Sequence, residues 1–311
     1  MRMARNRATE GRRHTSHATV RWRWAAAALA VLTSIGWAGK ASADDHRLVW
    51  RDEWPEFRAS EYAYTTSAWA SYLVVELWAP AIEYPGWKRP LPGELSVRRL
   101  LVARSRKARE TAGLLSDVLW IGSQVHLWVD SAAVPLLFDE FNVGIAGRLA
   151  LLDMEALGPT GLVNRLLHRT VGRERPSKIG CREDPSYEAA CGYADAASFP
   201  SGHTSSSFVA AGLVCAHHRA LPLYGHPAAD AAACAGMLVV GAGNGVLRLV
   251  ADRHWVSDVL AGAAFGFALG YGLPNLLHYG YEGPLTREAA GSVSLPDAAP
   301  ARFPFRFGAP F

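Results

Sequence analysis

The sequence predicts an all-α protein, built as a helical bundle. Five apolar segments lie between about residues 114 and 277, and most of them are long enough for several helical turns. They are rich in Ala, Leu and Val, and they lack the strict alternation of apolar and polar residues that half-buried strands show. The predicted segments are 114–138, 143–167, 204–216, 228–249 and 256–277.

The N-terminal residues 1–43 are predicted to be a signal peptide. Arg21 and Arg23 precede an apolar run at 24–39, and Ala-Ser-Ala at 41–43 matches a small-x-small cleavage site. An uncleaved membrane anchor is the alternative interpretation. Either form of export places the rest of the chain in an oxidising compartment, where cysteines can pair.

Two further regions flank the predicted helical core at 111–280. Residues 44–110 form an extension that is rich in aromatic and basic residues, with a Pro- and Gly-rich break at 80–93. Six basic residues fall within 98–109, which indicates a solvated helix face or, less favoured, a surface for anionic lipid. Residues 281–311 are rich in Pro, Ala and Phe without a clear period, and they predict a loose tail.

Charge and hydropathy limit the classes of partner. A net charge of +4 over 311 residues is too small to indicate nucleic-acid binding. Residues 259–277 contain no charge and are long enough to span a bilayer, whereas 114–138 contains Asp117 and Asp130. We therefore expect a membrane-embedded or membrane-bound protein with its site facing the periplasm, and a soluble periplasmic protein is the alternative. The sequence predicts neither a metal site nor a particular oligomeric state.

Three polar segments interrupt the apolar ones. Polar segment one is H-R-T-V-G-R-E-R-P at 168–176, polar segment two is P-S-G-H at 200–203, and polar segment three is R-L-V-A-D-R-H-W-V-S-D at 248–258. Helices that run alternately up and down would bring all three segments to one end of the bundle. We therefore expect a site at that end.

The first two polar segments contain groups that suit phosphate. Ser201 is a plausible helix N-cap, Gly202 permits close approach of the backbone, and free N–H groups at a helix start attract anions. Arg173 and Arg175 offer guanidinium groups that bind phosphate oxygens in pairs. An ordinary helix cap and a basic helix end facing the negative helix dipole are the alternatives.

Polar segment three contains a histidine and an aspartate at helical spacing. Arg248 precedes His254 by six residues, and Asp258 follows His254 by four. A carboxylate at that spacing can hold Nδ1–H of the imidazole and leave Nε2 free to attack. A surface His–Asp pair on a helix is the alternative.

Together the three segments resemble the motifs of the type 2 phosphatidic acid phosphatase and vanadium haloperoxidase superfamily. The family pattern is K-x6-R-P, then P-S-G-H, then S-R-x5-H-x3-D. The chain has Arg175-Pro176, the complete motif at 200–203, and Arg248-x5-His254-x3-Asp258, in this order. The resemblance covers roughly residues 113–280.

The resemblance implies a helical bundle and a phosphatase that acts on phosphomonoesters or lipid (di)phosphates without a cofactor. His254 would be the nucleophile, Asp258 its orienting partner and His203 the general acid, and water would then hydrolyse the phosphohistidine. Phosphate would be held by Arg175, Arg248 and the backbone at Ser201 and Gly202.

The chain departs from the family pattern at two positions. His168 stands at the lysine position and Leu247 at the serine position. Because histidine has a reference pKa of about 6.5, phosphate binding through His168 predicts better activity on the acidic side of neutral. Lys178, in the following segment, is a less favoured substitute for the lysine.

The same motifs leave two other functions open. A haloperoxidase would use the oxyanion site to bind vanadate at His254, and a non-catalytic protein would bind phosphate without turnover. A phosphatase is the favoured interpretation.

The four cysteines allow two local pairs. Cys181 and Cys191 lie between polar segments one and two, whereas Cys215 and Cys234 lie towards the other end of the bundle. Pairing within each set is geometrically reasonable in an oxidising compartment. Four buried free thiols are the alternative.

Overall fold

The structure is a computed structural model that describes residues 46–82, 84–189, 191 and 196–280. The predicted signal peptide at 1–43 and the predicted tail at 281–311 lie outside the described residues. Among the described residues, helices are joined by loops and there are only isolated β-bridges. The all-α prediction is confirmed.

The described helices follow the predicted apolar segments. In chain order they are α1 (Ala59–Trp78), α2 (Glu94–Leu101), α3 (Arg106–Trp128), α4 (Val134–Phe138), α5 (Val143–Thr170), α6 (Ser177–Glu183), α7 (Gly202–Ala220), α8 (Pro227–Val250) and α9 (Val256–Pro274). π-Helical turns at Val129–Ala133 and Asn275–Tyr279 follow α3 and α9. The five predicted segments correspond to α3 with α4, then α5, α7, α8 and α9.

The core is centred on α7. Val209, Leu213 and Val214 of this helix are inaccessible to solvent, and Leu127 of α3 and Met237 of α8 pack in the same cluster. Helices α3, α5, α8 and α9 all contact α7. Burying one such aliphatic side chain contributes about 1.5–3 kcal/mol, so α7 holds the bundle together.

Glycines allow α9 to lie directly against the backbone of α7. Gly262, Gly266 and Gly270 recur every four residues and therefore share one face of α9. A Cβ atom added at Gly262 would lie 2.8 Å from the carbonyl oxygen of Ser201, and one at Gly266 would collide with the carbonyl oxygen of Ser205. This contact fixes the start of α9 beside the start of α7.

The N-terminal extension packs on the bundle. Trp69 of α1 donates from Nε1 to the carbonyl oxygen of Met154 in α5, at 3.0 Å. Leu48 and Trp54 are buried in a second apolar cluster with Leu149 of the same helix. The described part of the extension is therefore attached to α5 through both polar and apolar contacts.

The basic stretch at 98–109 is not a uniformly solvated face. Arg98 donates through Nε and Nη2 to the carboxylate of Asp252, at 2.8 and 2.7 Å. Arg109 is 7% exposed and its guanidinium lies 3.6 Å from the ring centroid of Tyr187. The prediction of a solvated face is wrong for these two arginines, because each has a buried or aromatic partner distant in sequence.

Both predicted cysteine pairs are present as disulfides. Cys181 pairs with Cys191 in the loop region between polar segments one and two. Cys215 pairs with Cys234 and joins the C-terminal part of α7 to the N-terminal part of α8. The two disulfides therefore lie towards opposite ends of the bundle.

The outer surface of the bundle is apolar in several places. Two described helical segments, Pro227–Val250 and Val256–Tyr279, are long and apolar enough to cross a membrane. On α3, a stripe of exposed side chains runs along one face: Leu114, Val118, Ile121 and Val125, each more than half exposed. A surface of this kind indicates membrane association.

Candidate active site

The three polar segments meet at one end of the bundle, as the alternation of helix direction predicts. The backbone N–H of Ser201 donates to the carbonyl oxygen of Asp258 at 3.0 Å, which joins segments two and three. Ser198, just before segment two, donates its backbone N–H to the carbonyl oxygen of Arg173 in segment one at 3.1 Å. Backbone hydrogen bonds thus tie all three segments together.

His254 is buried with a defined tautomer. Its Nδ1 lies 2.7 Å from the carbonyl oxygen of Ser198, and its Nε2 lies 3.2 Å from Nη1 of Arg175. A carbonyl oxygen only accepts and a guanidinium only donates, so Nδ1 carries the hydrogen and Nε2 is the acceptor. The imidazole therefore presents the lone pair of Nε2 towards a cationic group.

The electrostatic surroundings keep this imidazole neutral. Burial lowers the pKa of His254 well below its ordinary value, and the charges of Arg175 and Arg248 lower it further. His168 contributes in the same direction. A neutral imidazole, with a lone pair rather than a proton on the attacking nitrogen, is the form that acts as a nucleophile.

The sequence predicted that the carboxylate of Asp258 holds Nδ1–H of His254. In the structure Asp258 lies beside His254 but does not make this hydrogen bond. The nearest carboxylate oxygen of Asp258 is 3.8 Å from Nδ1 of His254. That oxygen instead accepts from the hydroxyl of Ser198 at 2.6 Å and from the backbone N–H of Trp255 at 2.8 Å. Asp258 thus orients Ser198, whose carbonyl oxygen in turn fixes His254.

Arg173 is buried between two carboxylates. Its guanidinium pairs with the carboxylate of Asp258 and, at 2.5 Å, with that of Glu94. The guanidinium lies 3.9 Å from the ring centroid of Trp87 and is 1% exposed. Of the two arginines considered in segment one, only Arg175 faces His254.

Arg175 and Arg248 form the cationic part of the site. Arg175 donates from Nη1 to the carbonyl oxygen of Arg253 at 2.9 Å, which holds it beside His254. Arg248 is 8% exposed and donates from Nη1 to the hydroxyl of Ser116 at 3.1 Å. Both guanidinium groups act electrostatically on His254 and on His203, so the four side chains share one region.

His203 lies at the mouth of this region. Its Nε2 is 2.8 Å from a carboxylate oxygen of Asp117, and its ring lies 5.0 Å from that of Trp120. Burial and the charge of Arg248 together lower the pKa of His203 to about 4, against the opposing effect of Asp117. The imidazole is therefore neutral near pH 7 until an anion enters.

Ser201 and Gly202 occupy the predicted positions with one difference. Ser201 is the N-cap residue of α7 and Gly202 is its first residue. The hydroxyl of Ser201 lies 2.9 Å from that of Thr204, and its backbone N–H is bonded to the carbonyl oxygen of Asp258. The N–H of Ser201 is therefore engaged, and the anion-binding donors that remain are those of the first turn of α7.

His168 and Lys178 take different positions relative to the site. His168 donates from Nε2 to the carbonyl oxygen of Pro200 at 2.8 Å, so it supports polar segment two. Lys178 is 8% exposed, and its Nζ lies 3.4 Å from a carboxylate oxygen of Glu188. His168, rather than Lys178, is the group beside His254.

Three residues of the site were not identified from the sequence. Ser198 precedes polar segment two, Asp117 lies on α3, and Glu94 begins α2 in the extension. A carboxylate inside an apolar helix was the available signal for Asp117, because such a charge needs a partner. Ser198 and Glu94 had no comparable signal, since their partners are 60 and 79 residues away.

A family sequence model matches part of the chain. Residues 150–281 match the sequence model of the PAP2 superfamily. The chain is therefore similar to the PAP2 superfamily over this part of its length. The match includes all three polar segments and begins after α3, so Asp117 and the extension precede the matched part of the chain.

Three curated relatives align with about a third of the chain. A protein named lipid A 1-phosphatase from Porphyromonas gingivalis is 36% identical over 103 residues, covering 31% of this chain and 21% of the relative. A lipid A 1-phosphatase from Rhizobium etli is 34% identical over 110 residues, covering 34% of this chain and 41% of the relative. A third, from Rhizobium johnstonii, is 33% identical over 110 residues, covering 34% and 39%.

The chain thus spans less than half the length of the curated relatives it matches. No solved structure matches it.

Proposed function

We propose that this protein is a phosphatase of the PAP2 superfamily that forms a phosphohistidine at His254. The observation that supports this most is the fixed tautomer of His254, whose Nε2 lone pair faces Arg175. A buried, neutral imidazole between two guanidinium groups suits attack on a phosphorus atom whose oxygens those groups bind. Arg175 and Arg248 are the two groups, and both act on His254.

The proposed reaction has two steps. The lone pair on Nε2 of His254 attacks phosphorus while the bond from phosphorus to the leaving oxygen breaks, and protonated His203 donates its proton to that oxygen. Neutral His203 then accepts a proton from water, the water oxygen attacks phosphorus, and the P–N bond breaks. Inorganic phosphate leaves, and both imidazoles return to their initial states.

Protonation of His203 is the step that depends on the substrate. Its pKa of about 4 is that of the protein without an anion. A bound phosphate carries negative charge and favours the imidazolium, as does the carboxylate of Asp117. Since Nε2 of His203 is held by Asp117, we assign Nδ1 as the nitrogen that exchanges the proton.

A lipid phosphate is the substrate class that the surface favours. The relatives named above are lipid A 1-phosphatases. On α3, the apolar stripe begins at Leu114 and Val118, on either side of Ser116 and Asp117, which contact Arg248 and His203. An acyl chain on this stripe would place its phosphate beside the site.

We further propose that the protein is exported and held at the outer face of the inner membrane, with the site facing the periplasm. The predicted signal at residues 1–43 supports export. The two disulfides lie towards opposite ends of the bundle, and both require an oxidising compartment. A bundle that is bound to the membrane, with both ends on the exported side, meets this requirement.

The test is a substrate panel on the purified full chain in detergent. We expect release of phosphate from a lipid phosphate such as lipid A, with slower release from p-nitrophenyl phosphate. A brief reaction with 32P-labelled substrate should leave label on His254, and His254→Ala should remove both the label and turnover.

A matched variant and a second assay make the test specific. His226→Ala, at an exposed N-cap position of α8, should behave as the wild type. Full activity of folded His254→Ala would exclude the mechanism. Bromide oxidation on addition of vanadate, without phosphate release, would favour a haloperoxidase instead.

A further inference from the structure

A second cluster of ionisable side chains lies away from the candidate active site. Glu61 of α1, Glu155 of α5 and His278 of the final π-helical turn each offer one ligand atom, and these atoms lie within 4.8 Å of one another. All three residues are buried, with exposures of 5%, 0% and 0%. They come from three segments that are distant along the chain.

Glu155 is the residue that demands an explanation. Both of its carboxylate oxygens are inaccessible to solvent and neither has a hydrogen-bond partner among the described residues. A buried carboxylate needs a compensating charge, hydrogen bond or metal ion, and here the ion pair with His278 leaves both oxygens without a hydrogen bond. Its nearest counterpart is Nε2 of His278, at 3.5 Å.

The orientation of His278 suits a metal ligand. Its Nδ1 donates to the carbonyl oxygen of Pro55 at 3.1 Å, and its ring is stacked on that of Phe57. A metal-bound histidine commonly donates its other ring N–H to a backbone carbonyl in this way, which directs the Nε2 lone pair at the ion. Here Nε2 points towards Glu155.

The separation of 3.5 Å leaves room for an ion between the two atoms. It exceeds the usual N–H···O distance of about 2.7–3.2 Å. Two ligand atoms that are each about 2.0–2.1 Å from a tetrahedral ion lie about 3.4 Å apart. The observed spacing therefore matches two ligands of one zinc-sized ion.

Glu61 completes the set from the N-terminal extension. Its carboxylate accepts hydrogen bonds from the backbone N–H and from Nε of Arg58, both at 2.6 Å. These two bonds fix the orientation of the Glu61 side chain. Each carboxylate oxygen has a further lone pair available. Carboxylate and imidazole together are ligands that bind divalent transition-metal ions, and imidazole favours Zn²⁺ over Mg²⁺ or Ca²⁺. The carboxylate of Glu61 would be shared between the ion and Arg58.

We propose that Glu61, Glu155 and His278 form a structural site for Zn²⁺ or a similar divalent transition-metal ion. The ion would join α1 to α5 and to the turn after α9. Glu155 precedes His168 by 13 residues, which is about 20 Å along a helix, so the site is separate from the candidate active site. The proposal does not depend on the proposed phosphatase activity.

The test uses the full chain in detergent, first treated with a chelator and then titrated with Zn²⁺ alone. We expect one bound zinc per chain by elemental analysis and a saturable rise in Tm. Glu155→Gln and His278→Gln should each lose the bound zinc and the rise. Asp153→Asn is the control, because Asp153 is equally buried on the same helix and pairs with His217 outside the cluster.

A second measurement covers the case in which the variants fail to fold. Co²⁺ added to the wild-type chain should give the visible absorption bands of a tetrahedral site, and Zn²⁺ should displace it. A folded wild type that binds neither ion would overturn the proposal and leave a buried His–Glu ion pair. Equal zinc content in wild type and Glu155→Gln would overturn it as well.

Discussion

Arg173 and Asp258 form an ion pair that is closed to solvent, with side-chain exposures of 1% and 0%. The same guanidinium pairs with Glu94 at the start of α2. Asp258 in turn accepts from the hydroxyl of Ser198, whose carbonyl oxygen fixes His254. The geometry of His254 therefore depends on a residue of the N-terminal extension, outside the PAP2 match.

Removing Arg173 should cost far more than removing an exposed arginine. Arg173→Leu leaves Glu94 and Asp258 buried without a cation, and breaking such a pair costs about 3–5 kcal/mol. Arg182→Ala is the control, since Arg182 pairs with Glu174 at the surface, and its loss should cost at most about 1 kcal/mol. Chemical denaturation in detergent measures both. Equal losses in the two variants would contradict the structural role of Arg173.

Arg248 should contribute mainly to turnover. It is buried beside His254 and His203, and removing one preorganised donor of this kind typically costs about 2.7–4 kcal/mol of transition-state stabilisation. We expect Arg248→Ala to lower kcat by about 10²–10³-fold. Arg165→Ala, which removes a partly exposed pair between Arg165 of α5 and Glu76 of α1, should leave kcat unchanged. Steady-state kinetics with the best substrate from the substrate panel measure this effect. A kcat of Arg248→Ala within twofold of the wild-type value would exclude a role for Arg248 in stabilising the transition state.

The pH dependence of kcat/KM should change when Asp117 is replaced. The general acid must be protonated, so kcat/KM falls as pH rises through the pKa of His203, which is lowered to about 4. The carboxylate of Asp117 raises that pKa against burial and Arg248, and Asp117→Asn removes its charge. The pKa of His203 should then fall further, and the alkaline limb of the kcat/KM profile should move to lower pH.

A control on the same helix separates this effect from a general loss of charge. Glu110→Gln removes a carboxylate of α3 that pairs with exposed Arg106. Its profile should overlay that of the wild type. An alkaline limb that stays in place in Asp117→Asn, or moves to higher pH, would show that Asp117 does not act through His203.

The sequence was sufficient to predict where the site lies. Helices that alternate in direction must return segments 168–176, 200–203 and 248–258 to one end, so apolar periodicity and chain order together predict the convergence. The same reasoning placed Cys215 and Cys234 at the other end, where they are bonded. These features follow from local patterns that repeat along the chain.

The sequence was not sufficient to predict which partner each group takes. Asp258 is four residues from His254, yet it bonds Ser198 and Arg173 because the loop before α7 places a carbonyl oxygen nearer to the ring. That arrangement depends on how far apart α7 and α9 lie. The distance between two helices is set by the volume of the side chains at their interface. The spacing of residues along one helix therefore does not predict it.

Gly266 tests that separation directly. A Cβ atom at Gly266 would collide with the carbonyl oxygen of Ser205, so Gly266→Ala must push α9 away from α7. We expect a loss of about 1–3 kcal/mol or more in the free energy of unfolding.

Gly272→Ala is the control on the same helix, since no atom outside the local helix lies within 4 Å of its added Cβ. It should be neutral or gain up to about 1 kcal/mol from helix propensity. Because Asp258 lies in the first turn of α9, Gly266→Ala should also lower kcat, measured on the fraction that remains folded. Equal stability of the two variants would mean that the close contact between α7 and α9 is not what positions the site.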